Sequence, residues 1–288
     1  MAITALPLDC WLKERLKNWV QLSGHEGSIV PASNQTLWKR RSSSDYNEAS
    51  AYRSIMEDSA LKGFTPKFYK EIDYKNESFI EIEDLTTQFD NPAIMDIKIG
   101  TRTFLESEVQ NCTLRPDLYK KMIALNPNEP TDAEHLSKAI TKLRYMQFRE
   151  KESSSASLGF RIEAAKMPGG KLQKSFKKVK TPEEVSNTLL EFCGDRSTVV
   201  IKQFLSRLIR MREAVENSEF FRTHEVVGSS LLFMYDAVSA GVWMIDFAKS
   251  TPVNGYQINH RIGWTMGNHE DGYLLGLDNL IRVNFLHC

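Results

Sequence analysis

Cysteine is scarce in this chain. Four stand far apart in 288 residues, at Cys10, Cys112, Cys193 and Cys288. None falls in a CxxC pair or at metal-ligand spacing, which argues against a disulfide framework and a zinc module and leaves reduced thiols as the expectation. An excess of either charge is also missing: 37 basic and 37 acidic residues give a formal net charge of zero. That balance speaks against a generic nucleic-acid binder. No apolar run approaches the roughly 20 residues of a membrane span. The opening MAITALPLDCW has neither a basic start nor a long apolar stretch, so no secretory signal is expected and the cytoplasm is the default location. The Walker phosphate loop GxxxxGK[ST] is absent, as are internal repeats and low-complexity tails, and the six histidines show no metal spacing.

What is present is enough apolar sequence, 41%, to build one large or two-lobed domain around a real core. Cys10 to Val20 reads as a short amphipathic helix, with Trp11, Leu12, Leu16 and Trp19 among Lys and Arg. Gly24 and Gly27 bracket a turn. Residues 21–102 then look strand-rich, with FTPKFYKEID, ESFIEIEDL and PAIMDIKIG as strands and a helix running through Met56. Residues 103–159 have helical spacing, and T-D-A-E at Thr131 is a capping box that starts one long helix. This block reads as an insertion. Strands return over residues 160–288, together with two convincing helices and a hairpin formed by EVVGSSLLFMYD and GVWMIDFAKS.

Two strands carry unusual residues. In PAIMDIKIG, period-two alternation puts Asp96 and Lys98 on one face of an otherwise apolar strand. In VWMIDFAKS, Asp246 is a lone carboxylate in apolar surroundings, costly to bury unless paired, hydrogen-bonded or metal-bound. Two such carboxylates with a nearby lysine suit metal-assisted phosphoryl transfer. A turn-capping Asp246, or one paired with Lys249, would fit the same residues.

At these residues the chain resembles a known family. PAIMDIKIG fits the PxxxDxKxG signature of the inositol polyphosphate kinases, and SSLLFMYD and MIDFAKS are similar to that family's two later motifs, in order. WVQLSGHEGS, RYMQFRE, SLGFRIEAAK and NHEDGYLLGLDNLI look like the inositol 1,4,5-trisphosphate 3-kinases within it. The resemblance runs from about Trp19 to about Ile281. It implies an α+β, two-lobed ATP-binding kinase-like fold of the inositol polyphosphate kinase type, with a helical substrate-binding insert. It also implies ATP and Mg²⁺ as cofactors and inositol 1,4,5-trisphosphate as substrate, phosphorylated on its 3-hydroxyl.

The resemblance further assigns roles. Asp96 and Lys98 would be catalytic, the first orienting the accepting hydroxyl and the second offsetting charge. Asp246 would hold Mg²⁺ with help from Ser230. Lys39 would meet the ATP phosphates, while Glu83 and Leu85 would form the hinge that meets adenine through backbone groups. Arg115, Leu118, Lys142, Tyr145, Arg149 and Lys166 would grip the inositol phosphate together with Lys98. Lys142, Tyr145 and Arg149 fall at i, i+3 and i+7, one helix face. Leu118 stands where relatives often have Met, and Ala248 where they have Gly. The family binds calmodulin upstream of its catalytic core, so Cys10 to Val20 is a candidate Ca²⁺-calmodulin site, or else a helix that packs on the first lobe. A broader multikinase, a non-catalytic inositol-phosphate-binding module and an interaction protein are the competing readings. The basic run Lys171 to Lys180 reads as a solvated loop.

Overall fold

The computed structural model describes residues 28–41, 47–167, 170–255 and 257–284. The Cys10–Val20 segment and most of the Gly24–Ser28 turn lie outside them.

The first lobe is an antiparallel sheet of β1 (Ile29–Pro31), β2 (Thr36–Arg40), β3 (Phe68–Tyr74) and β4 (Glu77–Glu83), in the order β1-β2-β4-β3. Helix α1 (Asn47–Glu57) joins β2 to β3 and buries Ala51, Tyr52 and Ile55. Tyr52 stacks on Phe68 and meets Phe247 edge-on, with ring centres 6.1 and 5.3 Å apart. Lys75 and Asn76 both have positive φ, as a tight right-twisted hairpin between β3 and β4 requires.

A connector leads to β5 (Ala93–Ile99). The sequence reading put this strand in the first lobe, with a boundary at residue 102. Its pairing corrects that: β5 lies between β6 (Phe160–Lys166) and β8 (Ser230–Tyr235) in the second sheet. The backbone groups on both edges of this buried strand need hydrogen-bond partners, and β6 and β8 provide them. The lobes therefore meet in the connector ahead of β5.

Between β5 and β6 the chain makes a helical excursion: α2 (Glu106–Val109), α3 (Pro116–Leu125), α4 (Asp132–Ser137), α5 (Lys142–Lys151) and α6 (Ser155–Leu158). It leaves and returns at one hydrogen bond, from Gly100 N–H to the Gly159 carbonyl at 2.7 Å. Leu118, Tyr119, Met122, Ile140, Tyr145 and Phe148 give it a core of its own. The long helix expected from Thr131 is two helices. The capping box forms as read, but Lys138 turns left-handed at φ 51°. Ile140 then pairs with the Arg115 backbone, and Thr141 caps a fresh start at α5.

The second lobe continues with α7 (Pro182–Cys193), α8 (Ser197–Glu216), α9 (Glu219–Thr223), β7 (His224–Val227), β8, β9 (Ala240–Ile245), β10 (Lys249–Pro252) and α10 (Tyr273–Asn284). The expected hairpin is β8–β9, closed by Asp236, whose carboxylate accepts from the Val238 and Ser239 N–H groups. Its flanks, β7 and β10, pair with each other in a separate ribbon. Met95, Ile97 and Ile99 face the main core, while Ile94 joins Leu85, Ala164, Met234 and Trp243 on the opposite face. Helix α10 presses against the end of the excursion. A side chain at Gly276 would meet the Gly159 carbonyl at 2.2 Å, so glycine is required there.

One buried pair fastens the NHEDG segment. His260 is 2% exposed; its Nε2 lies 2.6 Å from the Phe221 carbonyl and its Nδ1 2.8 Å from the Asp271 carboxylate. Both neighbours are acceptors, so both ring nitrogens donate and the imidazole is charged. Burial opposes that charge, but Asp271 and the Phe221 carbonyl outweigh it and raise the pKa above the ordinary histidine value. A raised folded-state pKa contributes stability in full below about pH 6.5, lost as pH climbs through the folded-state value. The melting-temperature gap between the native protein and His260→Gln should therefore narrow from pH 6 to pH 9 on a thermal melt. A gap that stays constant over that range would show the ring to be neutral.

Candidate active site

The site is built from the ends of strands. Along β5 the pairing with β8 is regular, Asp96 opposite Leu232 and Lys98 opposite Ser230, so the two residues do share a face. The irregularity between Asp96 and Ile97 falls on the β6 side. Asp96 is buried, and Lys98 Nζ donates to the Gly228 carbonyl at 2.9 Å. Ser230 lies opposite Ile245, the residue before Asp246.

Asp246 follows β9 with φ +65°, a left-handed backbone that an aspartate holds at a cost of about 1 kcal/mol or more. This turn aims its carboxylate at the first lobe. Lys39 Nζ lies 2.6 Å from Asp246 Oδ1 and 2.6 Å from Glu48 Oε1. Glu48 also accepts from the Phe247 N–H at 3.3 Å, so it holds both the lysine and the backbone that carries Asp246. Burial alone would push the Asp246 carboxyl up, yet Lys39 and Lys98 outweigh it and keep it below the usual range. Burial lifts Glu48 instead, and the two carboxylates raise Lys39 well above its ordinary value despite desolvation. A strand lysine paired with a helix glutamate, facing an aspartate after a hairpin, is also how protein kinases arrange their phosphate site.

Glu48 is absent from the sequence reading. Its signal is position: it shares the apolar face of α1 with Ala51, Tyr52 and Ile55, where an acid needs a partner. The pairing of Asp246 with Lys249 does not form. Lys249 reaches Glu108 Oε2 at 2.7 Å, and Lys142 reaches Glu108 Oε1 at 3.3 Å. Burial would raise the Glu108 carboxyl, but hydrogen bonds from Lys249 and the Leu105 N–H, with both lysines' charge, lower it. This glutamate on α2 thus brings an expected substrate cation, Lys142, to the segment just after Asp246.

The other candidates are dispersed. Arg149 Nη1 lies 3.5 Å from the Tyr145 hydroxyl, on the same helix face as Lys142. Arg115 is exposed and held in a two-point pair by Asp117, at 3.0 and 2.8 Å. Leu118 is buried in the excursion's own core. Lys166 pairs with Ile94, four residues along β5 from Lys98 and about 13 Å away at strand rise, at the end nearest the connector. Glu83 uses its carboxylate on the Lys67 N–H and Gln88, and Leu85 is buried beside Trp243. Between these two ends, Leu232 and Ile245 are half-buried on the face shared with Asp96, an apolar shelf not foreseen from the sequence.

Asp246 and Ser230 fit a divalent cation. The side chain of Asp246 is ionised and 32% exposed to the cleft, and the Ser230 Oγ is buried without a hydrogen-bond partner. Among the described residues no group of three or more His, Cys, Asp or Glu could hold an ion alone. Such a donor set suits an ion that takes its remaining ligands from phosphates and water.

Two lobes, a lysine–glutamate pair reaching across to the second lobe and a lone aspartate at a strand end define a kinase-like fold. The family model for inositol polyphosphate kinase matches residues 79–284, and the chain belongs to that family. It is 60% identical over 287 residues to the inositol-trisphosphate 3-kinase homolog of Caenorhabditis elegans, covering 98% of this chain and 58% of that protein. It is 45% identical over 285 residues to inositol-trisphosphate 3-kinase A of Rattus norvegicus, covering 96% and 61%. The chain thus spans about three-fifths of the length of these curated relatives. Among solved structures, inositol phosphate multikinase Ipk2 of S. cerevisiae, in complex with ADP and Mn²⁺, matches with a TM-score of 0.58 at 16% identity. That match covers 88% of this chain and 99% of the other, and it is a likeness of fold.

Replacing Glu48 leaves Lys39 with one carboxylate and the Phe247 N–H with none. Glu48→Ala should cost about 3 kcal/mol in urea unfolding, while Glu77→Ala, in an exposed pair, should cost under about 1 kcal/mol. Equal losses would remove Glu48 from its structural position.

Proposed function

We propose that this chain transfers the γ-phosphoryl group of ATP to the 3-hydroxyl of inositol 1,4,5-trisphosphate, with Mg²⁺. The observation that carries the reading is the meeting of Lys39, Glu48 and Asp246 at the strand end where Lys98 and Ser230 also lie. The nucleotide lies between the lobes, its base on the Leu232–Ile245 shelf and its hinge contacts made by backbone at Glu83 to Leu85. Lys166, at the connector end of β6, belongs with the nucleotide and not with the acceptor. Asp246 and Ser230 would hold Mg²⁺, which when bound offsets phosphate charge. Lys39 does the same from the first lobe, fixed in place by Glu48.

On the acceptor side, Asp96 orients the hydroxyl and takes its proton, and Lys98 offsets the charge that develops beside it. Lys142, Arg149 and Lys249 grip the ring phosphates, Tyr145 packs beside them, and Arg115 reaches in from the start of α3. Glu108 holds Lys142 and Lys249 close together before substrate arrives, and the incoming phosphates take its place. The names of the relatives support the 3-kinase reading over a multikinase. The excursion's separate core supports a fixed wall that favours one acceptor. The presence of both Asp96 and Asp246 favours catalysis over mere binding.

The test is ADP release with Mg-ATP against a panel of inositol phosphates, with NMR to locate the new phosphate. Inositol 1,4,5-trisphosphate should lead the panel and gain a phosphate at position 3. Comparable turnover across the panel would mark a multikinase. Asp246→Asn should lower turnover roughly a thousandfold. Lys142→Ala and Arg149→Ala should raise the KM for the inositol phosphate roughly 10- to 150-fold with ATP affinity little changed. An equal effect on both substrates would make these residues structural.

A second reading, Ca²⁺-calmodulin binding at Cys10–Val20, is supported by the sequence pattern there, in which Trp11, Leu12, Leu16 and Trp19 stand among Lys13, Arg15 and Lys17. Tryptophan fluorescence should change on titration with Ca²⁺-calmodulin, and a flat titration at micromolar calmodulin would leave the segment as scaffold. A cytoplasmic location agrees with the described residues, none of whose helices is long and apolar enough to cross a membrane.

A further inference from the structure

Charge is balanced over the whole chain but not along it. From Ala164 to Thr181 there are six lysines and no acidic residue. The part of this run that follows β6 is a strap with a fixed course. Gln173 pairs with Ala165 by two backbone hydrogen bonds, 3.0 and 2.8 Å, and extends the sheet edge. Leu172 packs against the cluster that holds Ile94, Ala164 and Trp243, and Phe176 and Val179 pack against the main core. These three inward pins leave Lys171, Lys174, Lys177 and Lys178 exposed. Lys180 pairs with Glu152, whereas among the described residues no carboxylate pairs with the other four.

The chemistry of the strap narrows the partner. It has no arginine, so no two-point phosphate fork, and its one aromatic ring is turned inward, so no base can stack on it. What remains is a row of point charges on an outward-facing strap. That fits a smeared negative surface better than any single anion. We propose that the strap from Lys171 to Lys178 docks the protein on a membrane leaflet rich in acidic lipid headgroups. With its apolar residues committed inward, the attachment is electrostatic, reversible and weakened by salt. Ser175 sits exposed in the middle of the strap, where an added negative charge would oppose the same attraction.

The experiment is co-sedimentation of the whole chain with vesicles of phosphatidylcholine alone or of phosphatidylcholine with phosphatidylserine. Binding should need phosphatidylserine and fall steeply with added salt. Replacing Lys171, Lys174, Lys177 and Lys178 together by Gln should weaken it at least a hundredfold, since each lysine near such a surface is worth roughly fivefold. Ser175→Glu, which removes no lysine, should weaken it several-fold. Both variants should keep the native melting temperature and the turnover of soluble substrate. Equal binding to neutral vesicles overturns the proposal, as does no binding to either kind. Full binding by the four-lysine variant also overturns it, by moving the attachment to another segment such as Cys10–Val20. Complete competition by millimolar inorganic phosphate at constant ionic strength would overturn it in favour of a discrete anion site.

Discussion

A single ammonium group holds the two lobes in register. Lys39 comes from the first sheet, Glu48 from the helix packed on it, and Asp246 from the turn that ends the second sheet's hairpin. With 16% of its side chain exposed, Lys39 cannot rely on water for its charge, so two carboxylates have to come to it. The left-handed backbone at Asp246 is tolerable because the lysine in front and the Glu48 contact to Phe247 N–H behind determine it twice over. The cluster proposed to meet the nucleotide phosphates is thus also the joint between the lobes.

The chain separates its charges in space while balancing them in number. Glu108 sits between Lys142 and Lys249 where an anionic substrate would otherwise be needed to keep the lysines from repelling. Arg115 is quieted by Asp117 in the same way. Only charge with no such companion is left to project a field, which is why local inventories of acid and base say more here than the net value.

Much of this was legible in the chain itself, for identifiable reasons. Lone acids in apolar strands announce themselves, so Asp96 and Asp246 stood out, and period-two spacing put Lys98 on the right face. Pairing partners do not announce themselves. β5 was assigned to the wrong sheet because its neighbours come from residues 160–166 and 230–235, far along the chain. The break after Lys138 depends on a backbone pair with Arg115 that no local pattern reveals. Lys166 was grouped with the acceptor cations because type and order can be read without position, whereas the ladder register puts it at the opposite end of β5. Glu48 and Glu108 carry no role in the sequence alone, since the lysines that give them one arrive from elsewhere in the chain.

The hydrogen bond from Gly100 to Gly159 has one more implication. Because the excursion departs and rejoins at neighbouring positions of one ladder, its length is nearly invisible to the sheet: doubling a loop adds only about 0.6 kcal/mol of closure entropy. The helices between those glycines form a replaceable cassette, bounded by a seam that any shorter or longer segment could also close. Lineages built on this frame are free to exchange the helical wall while the strands of the second sheet stay untouched.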